Sequence, residues 1–247
     1  MADSFVDLHD VVIIGGGCYG SFYLAQLAAA RARGRVSWRQ LLVVDRDPAC
    51  AASAELSRVA GASLVVAEWG RFLDQFLTPR DRVSGDRIVP SPLMPHLLLE
   101  WLVRRAHARA PERPLQIERG APIGTPFESI GADGTRYVSH ADWLCPVHCV
   151  EPAICPATRA PRTWEMAESC TDAAAGASVA LFECHHAVFG VGMIRVDGVL
   201  AADARLAEAD ASGHAVELMV GTVSRCHGAV TRLIRPAFRV PSAPALR

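Results

Sequence analysis

Six consecutive residues near the start of the chain have the types and spacing that hold a pyrophosphate. The pattern G-x-G-x-x-G is matched by Gly15, Gly16, Gly17, Cys18, Tyr19 and Gly20. An apolar, β-branched run precedes them and an Ala- and Leu-rich segment follows, which predicts a turn between a strand and a helix N-terminus. The first glycine permits a tight turn, the second a close approach of the phosphates, and the third close packing of the helix. The turn therefore predicts a dinucleotide site.

An acidic residue stands where a ribose would lie. A second apolar run, 41–44, ends in Asp45, whose carboxylate is expected to accept hydrogen bonds from ribose hydroxyl groups. Asp45 would repel the 2′-phosphate of NADP, whereas the adjacent Arg46 would attract it. NAD is favoured and NADP stays open.

A second group of reactive residues lies farther along the chain. Cys145, Cys149 and Cys155 have the spacing C-x₃-C-x₅-C, and the surrounding prolines stiffen the loop so that the thiols are held apart. This arrangement suits an Fe–S cluster, or zinc with Cys or mixed Cys/His ligands. Buried thiols without metal are the third interpretation. A further ligand must come from elsewhere, and both Cys184 and Cys226 lie at or just after the end of a predicted strand.

The elements that position these groups alternate between strand and helix. Six strands are expected, with helices near 21–33, 51–59, 71–76, 95–109 and 196–209 and another after Gly228. The strands are predicted at 10–14, 41–44, 63–67, 136–143, 178–184 and 217–224. A loop is expected at 78–95, and short antiparallel strands or irregular chain at 110–134.

This alternation predicts an α/β fold: a doubly wound, mainly parallel Rossmann-like sheet of order 3-2-1-4-5-6. Residues 1–235 are expected to form one domain, with a dinucleotide unit at 8–70 and a Pro- and Cys-rich loop insertion at 144–170. Residues 236–247 are expected to be a tail. Ligands of such sheets bind outside the carboxyl ends of the strands, so the glycine turn and the cysteines are predicted to share one edge.

Residues 8–70 resemble the dinucleotide-binding Rossmann superfamily, which includes nicotinamide dehydrogenases, flavoprotein FAD domains and the nucleotide-binding domains of potassium-transport regulators. The resemblance rests on the strand, glycine turn, helix, second strand and terminal Asp45 in that order. It implies NAD(P), with FAD as the alternative. Tyr19 is more like nicotinamide-type turns, and a second glycine motif that would close on FAD is not evident.

Composition excludes several classes of protein. The chain has no lysine, which removes P-loop, Schiff-base and kinase lysine chemistry. Its formal net charge of −1 offers no field that would gather nucleic acid or an anionic membrane. The N-terminus lacks a signal-peptide pattern and no apolar run is long enough to span a bilayer. We therefore expect a cytoplasmic protein whose eight cysteines stay reduced.

The function expected from these residues is a dinucleotide-dependent oxidoreductase with a cysteine-ligated Fe–S centre beside the nucleotide crevice. The alternative is a non-catalytic, nucleotide-sensing regulatory or binding module with structural zinc. Partners would be a small-molecule substrate or a redox protein, and an oligomer stays open. The candidates for proton transfer are expected at the predicted edge, and the sequence favours none of them over the others. They are His185, His186, His227, Glu151 and Glu183.

Overall fold

A computed structural model describes residues 5–78, 85–146 and 149–238. Within these ranges the chain forms thirteen strands and six helices. The strands are β1 (Val6–Asp7), β2 (Asp10–Ile14), β3 (Val36–Ser37), β4 (Gln40–Asp45), β5 (Ala62–Val66), β6 (Arg87–Val89), β7 (Gln116–Arg119), β8 (Phe127–Ile130), β9 (Arg136–Ser139), β10 (Ser178–Val188), β11 (Val191–Arg195), β12 (Val216–Val223) and β13 (His227–Arg235). The helices are α1 (Cys18–Ala32), α2 (Ser53–Leu56), α3 (Trp69–Phe76), α4 (Leu97–Arg109), α5 (Met166–Ala173) and α6 (Val196–Ser212).

Eleven strands form one mixed sheet in the order β5-β4-β2-β6-β11-β10-β12-β13-β9-β8, with β7 also paired to β13. At one end, β5, β4, β2 and β6 are parallel to their neighbours. Beyond β6 the pairs are antiparallel, except that β10 and β12 are parallel. β1 and β3 pair separately.

The predicted doubly wound, mainly parallel Rossmann-like sheet is therefore wrong for this chain. Six of the ten strand pairs in the large sheet are antiparallel. The helix expected after Gly228 is instead β13, which folds back on β12 through only three residues, 224–226. A parallel pair needs a long crossover, so connections this short produce hairpins.

One strand, β6, was not predicted, and two short strands agree with an expected alternative. The expected loop at 78–95 contains β6, and residues 110–134 form the short strands β7 and β8, one of the two outcomes expected there. Of the expected tail, residues 239–247 lie outside the described ranges.

The core lies on both faces of the parallel end of the sheet. All five residues of β2 are buried, and successive side chains point to opposite faces. Val11 and Ile13 pack with Leu24 and Leu27 of α1, in one cluster of buried residues. Val12 and Ile14 belong to a second cluster, which α3, α4 and α6 cover. This burial fixes the position of the turn that follows Ile14.

No helix among the described residues is both long and apolar enough to cross a membrane.

Candidate functional site

The glycine turn joins the carboxyl end of β2 to the first residue of α1. Gly15 has a φ of +86°, a left-handed conformation that favours glycine. Its N–H donates to the carbonyl of Val44 at 2.8 Å, which continues the pairing of β2 with β4 by one residue. The chain therefore leaves the sheet and enters the helix within three residues.

Each glycine of the motif has a different environment. A Cβ on Gly20 would lie 1.8 Å from the carbonyl oxygen of Gly15, so the helix approaches the turn too closely for any side chain there. A Cβ on Gly15 would lie 3.2 Å from the Trp69 ring, which covers that side of the turn. A Cβ on Gly17 would meet nothing within 4 Å. The turn is closed at Gly20 and open at Gly17.

The N-terminus of α1 lies at the open part of the turn. Gly17 is its N-cap residue, with no side-chain cap, and the first turn of the helix contains no acidic residue. The first N–H groups of a helix have no partner within the helix, and they carry partial positive charge. Cys18 and Tyr19 follow as exposed residues. An anion would meet backbone donors here, with no acidic residue in the first turn of the helix.

Asp45 contacts the turn directly. Its carboxylate accepts hydrogen bonds from the N–H of Gly16 at 2.6 Å and from the N–H of Asp47 at 2.9 Å. An ionised carboxylate has about four acceptor positions, so these two bonds leave capacity for a hydroxyl group. Arg46, next to it, is exposed.

Two residues at the turn were missed by the sequence analysis. A Cβ on Gly16 would lie 2.4 Å from the Cys50 sulfur, so this thiol fills the space behind the turn. The N–H of Ala52 donates to the Gly16 carbonyl at 2.8 Å, which fastens the loop after β4 to the turn. The second missed residue is Trp69, at the start of α3. No sequence motif marks Cys50 or Trp69.

Strand directions bring the predicted metal ligands to the same edge of the sheet as the glycine turn. Following the pairing outward from β2, strands β10, β12 and β9 all run in the direction of β2. Cys184 lies in the second half of β10, Cys226 lies between β12 and β13, and Cys145 follows β9. The shared edge predicted from the sequence is therefore present, although the fold that predicted it is not.

Four of these cysteines are neighbours. Burial raises the pKa of the Cys145 thiol, and the nearby charges of Cys149, Cys226 and Cys155 raise it further. The backbone fixes part of this arrangement, because the N–H of His140, shortly before Cys145, donates to the carbonyl of Cys226 at 2.9 Å. We call Cys145, Cys149, Cys155 and Cys226 the cysteine cluster.

Sulfur atoms of the cluster accept hydrogen bonds from N–H groups. Trp164 Nε1 donates to Cys226 Sγ and the N–H of Glu151 donates to Cys149 Sγ, both at 3.3 Å. Hydrogen bonds from Thr158, with the N–H of Ala157, outweigh burial and lower the pKa of the Cys155 thiol.

Cys184, the fifth predicted ligand, has a different environment. A Cβ on Gly192 of the adjacent strand would lie 2.5 Å from its sulfur, so the thiol packs against β11. Burial, followed by the charge of Glu151, raises its pKa to about 12. In the absence of a metal, a thiol of this kind stays protonated at neutral pH.

Glu151 lies among these cysteines and is held in an unusual conformation. It is 8% exposed and its φ is +50°, which is strained for a residue with a side chain. Its carboxylate accepts the N–H of Arg225 at 3.1 Å, and its carbonyl accepts a hydrogen bond from Arg162. These bonds tie the loop that carries Cys149 to the loop that carries Cys226.

Three histidines surround the cluster. His186 Nδ1 lies 2.8 Å from the carbonyl oxygen of Cys149, and His227 Nδ1 lies 2.9 Å from Ser139 Oγ. Burial lowers the pKa of His227, Glu151 opposes this, and the charges of His186 and His140 lower it further. His148 lies outside the described ranges, and His185 is exposed on β10, where it lies 3.6 Å from exposed Glu183.

No group of three or more His, Cys, Asp or Glu side chains in the described ranges is arranged to hold a metal ion. All eight cysteines are free thiols. The cysteine cluster is therefore a set of neighbouring, hydrogen-bonded thiols that do not point to one centre.

Comparison with known proteins adds a family for the second part of the chain. A family model described as "Uncharacterized protein, C-terminal domain" matches residues 98–235, more than half of the chain. The matched range includes the whole cysteine cluster, whereas the glycine turn lies outside it. No curated protein and no solved structure matches the chain.

Proposed function

The chain belongs to the family of uncharacterized proteins that share this C-terminal domain, and we propose that it is a dinucleotide-dependent oxidoreductase whose cofactor lies across residues 15–20. The observation that carries the proposal is the contrast between Gly17 and Gly20. Gly17 is open to solvent at an uncapped helix N-terminus, whereas Gly20 is in backbone contact with Gly15. A pyrophosphate needs this combination, because its oxygens must reach the backbone N–H groups without meeting a side chain.

The local order of the strands supports the same site. β2 is followed along the chain by β4 on one side, and β6 pairs with β2 on the other side. Ligands of open sheets bind in the crevice where the chain switches sides, outside the carboxyl ends of the strands. Gly15 follows the carboxyl end of β2, between the neighbouring strands β4 and β6, so the proposed pyrophosphate site would lie at such a switch point.

NAD(P) is the proposed cofactor, and FAD is the alternative. Asp45 lies beside Gly16 and keeps acceptor capacity for the ribose hydroxyl groups. The exposed guanidinium of Arg46 would attract a 2′-phosphate, so NADP is tested together with NAD. Hydride transfer between the nicotinamide and a small-molecule substrate or redox partner is the proposed reaction.

We also propose a cytoplasmic location. All eight thiols are free, including the four neighbouring cysteines of the cluster. Thiols persist in a reducing compartment, whereas neighbouring cysteines of exported proteins usually form disulfides.

The test is equilibrium titration of the full chain with NAD⁺, NADP⁺ and FAD, using wild type and Gly17→Val. Gly17 has a φ of −71°, so valine fits the backbone, but its methyl groups would occupy the open position of the turn. Charge-assisted hydrogen bonds are worth about 1.5–3 kcal/mol each, so we expect affinity to fall about 100-fold or more.

Gly198→Val is the matched control, because Gly198 also lies at the start of a helix and a Cβ there meets nothing within 4 Å. It should bind like wild type. Equal affinity of Gly17→Val and wild type for every dinucleotide would refute the site. Binding by wild type without turnover would favour the nucleotide-sensing module over the oxidoreductase.

A further inference from the structure

We propose that a groove across β8, β9 and β13 binds a neutral, planar aromatic compound that donates a hydrogen bond from a hydroxyl or N–H group. The groove has a volume of about 510 Å³, and its lining includes Phe127, Tyr137, Ser139 and His227. Binding sites for small molecules typically have about 300–1,000 Å³ and combine apolar walls with a few polar groups. The site is independent of the dinucleotide turn, because four strands lie between β2 and β13 in the sheet.

Strand register places these four side chains on one face of the sheet. Phe127 and His227 both pair with Ser139, from the strands on either side of it. Directly paired residues on neighbouring strands share a face, as do residues two apart on one strand. Tyr137 lies two residues before Ser139. The aromatic rings and the Ser139–His227 pair therefore border the same groove.

Two exposed aromatic side chains form the apolar part of the groove. Phe127 is 43% exposed and Tyr137 is 39% exposed. The two residues are diagonal neighbours on β8 and β9, at a Cα separation of about 7–8 Å, so one flat ligand can contact both rings. The Tyr137 ring makes an edge contact with His96, with 6.2 Å between the ring centroids, which fixes its orientation. Offset stacking on such rings is the contact that a planar ligand makes.

The hydrogen bonds of Ser139 determine which nitrogen of His227 carries the proton. Ser139 Oγ lies 2.7 Å from the carbonyl oxygen of Ala141, which can only accept, so the hydroxyl proton is donated there. Oγ accepts the N–H of Ala141 at 2.9 Å and has one acceptor position left. His227 Nδ1, 2.9 Å away, must therefore donate to it. The neutral imidazole then has its lone pair on Nε2.

Nε2 of His227 is an acceptor that can receive a ligand. It has no hydrogen-bond partner among the residues that the structure describes, and His227 is exposed where it lines the groove. The lowered pKa of this imidazole keeps the ring neutral at pH 7, so Nε2 stays unprotonated. A hydroxyl or N–H group of the ligand is the complement of this lone pair.

The charges of the groove favour a neutral ligand. Glu128 lines it, but its carboxylate is bound by Arg136 at 2.7 Å and by the backbone N–H groups of residues 123–125. No arginine is among the described residues that line the groove. A nucleotide or another anion would therefore meet no cation here that could pair with it.

Two probes that differ by one hydrogen-bond donor test the site on wild type. 2-Naphthol and 2-methoxynaphthalene have the same flat ring system, but only the first has a proton on its oxygen. Each is titrated into the full chain and followed by its own fluorescence. A hydrogen bond contributes enough free energy for 2-naphthol to bind about 10-fold more tightly. Equal affinities, or no binding of either compound, would overturn the proposal.

Variants assign the contacts. His227→Phe keeps a ring but removes both nitrogens, so it should bind 2-naphthol about 10-fold more weakly and 2-methoxynaphthalene like wild type. Phe127→Ala should weaken both compounds by a similar factor, because it removes a stacking surface that they share. His107→Phe is the matched control, since His107 is an exposed histidine on α4 outside the groove, and it should bind both like wild type.

A preference for 2-naphthol that persists in His227→Phe would overturn the role of Nε2. The dinucleotide turn is tested separately. Gly17→Val should bind 2-naphthol like wild type, and His227→Phe should bind dinucleotide like wild type. Loss of 2-naphthol binding in Gly17→Val would place the probe at the turn and overturn the groove site, whereas failure of wild type to bind dinucleotide would leave the groove site unaffected.

Discussion

Two glycines three residues apart should lose very different amounts of stability on the same substitution. In Gly20→Ala, the new Cβ would lie 1.8 Å from the Gly15 carbonyl oxygen, and contacts below 3.0 Å essentially do not occur. The turn must therefore open by about 1.2 Å, the difference between these two distances. Overpacking costs about 1–3 kcal/mol when side chains can move; here both groups belong to the backbone, and we expect about 3 kcal/mol or more.

Gly17→Ala should cost below about 1 kcal/mol, because alanine is only a poorer N-cap residue than glycine and meets no atom within 4 Å. The assay is urea unfolding of wild type and both variants, with equal slopes required for comparison. A difference between the variants of less than about 1 kcal/mol would refute the account of the turn, since the unequal space at the two glycines is what separates them.

Two further predictions concern charged groups. Asp210, whose side chain is 6% exposed, accepts hydrogen bonds from Arg235 at 2.7 Å and Arg109 at 3.1 Å, so Asp210→Asn should lower the free energy of unfolding by about 3–5 kcal/mol, measured in urea. The exposed pair of Glu217 should matter far less, and an equal loss in Glu217→Gln would contradict the role of burial. Burial raises the pKa of Glu128, but hydrogen bonds from Thr125, Arg136 and Gly124 outweigh it and lower the pKa below its ordinary 4.5. Because the pKa is lowered in the folded state, Glu128 adds stability above pH 4.5 that is lost as the pH falls through the folded pKa. The loss of unfolding free energy caused by Glu128→Gln should therefore be smaller in acid. An equal loss at pH 7 and pH 3 would contradict this.

The sequence predicted the parallel end of the sheet because the signals there are local. The strand expected at 10–14 is β2, and the runs 41–44 and 63–67 lie within or beside β4 and β5. Continuous β-branched runs bounded by turn residues specify buried parallel strands, and glycine spacing specifies the turn. The position of the glycine turn can therefore be predicted from the sequence.

The antiparallel end depended on contacts that local patterns do not encode. β13 was predicted to be a helix, although Val230, Leu233 and Arg235 are buried and pair it with three other strands. Apolar residues three apart are compatible with a helix or a strand, and pairing with neighbouring strands makes this segment a strand. β6 has only three residues and follows a charged, Pro-containing segment. Local sequence patterns therefore did not predict a buried strand between β2 and β11.

The cysteines show the same division. The spacing of Cys145, Cys149 and Cys155 predicts that they share a loop, whereas the surroundings of Cys184 and Cys226 depend on which side of a strand each sulfur occupies. Cys184 packs against Gly192, and Cys226 lies in the turn beside Trp164. The orientation of a side chain at a strand end follows from register, which single-sequence patterns do not fix.

β6 has a consequence for how the molecule unfolds. Among the described strands, this three-residue strand is the one that connects the parallel and antiparallel ends within the sheet, through β2 on one side and β11 on the other. The fully buried Asp86 adjoins it, accepting the N–H of Asp10 through its carboxylate and the N–H of Val196 through its carbonyl. Amide exchange at Ile88 would report whether the parallel and antiparallel ends of the sheet open together or in turn.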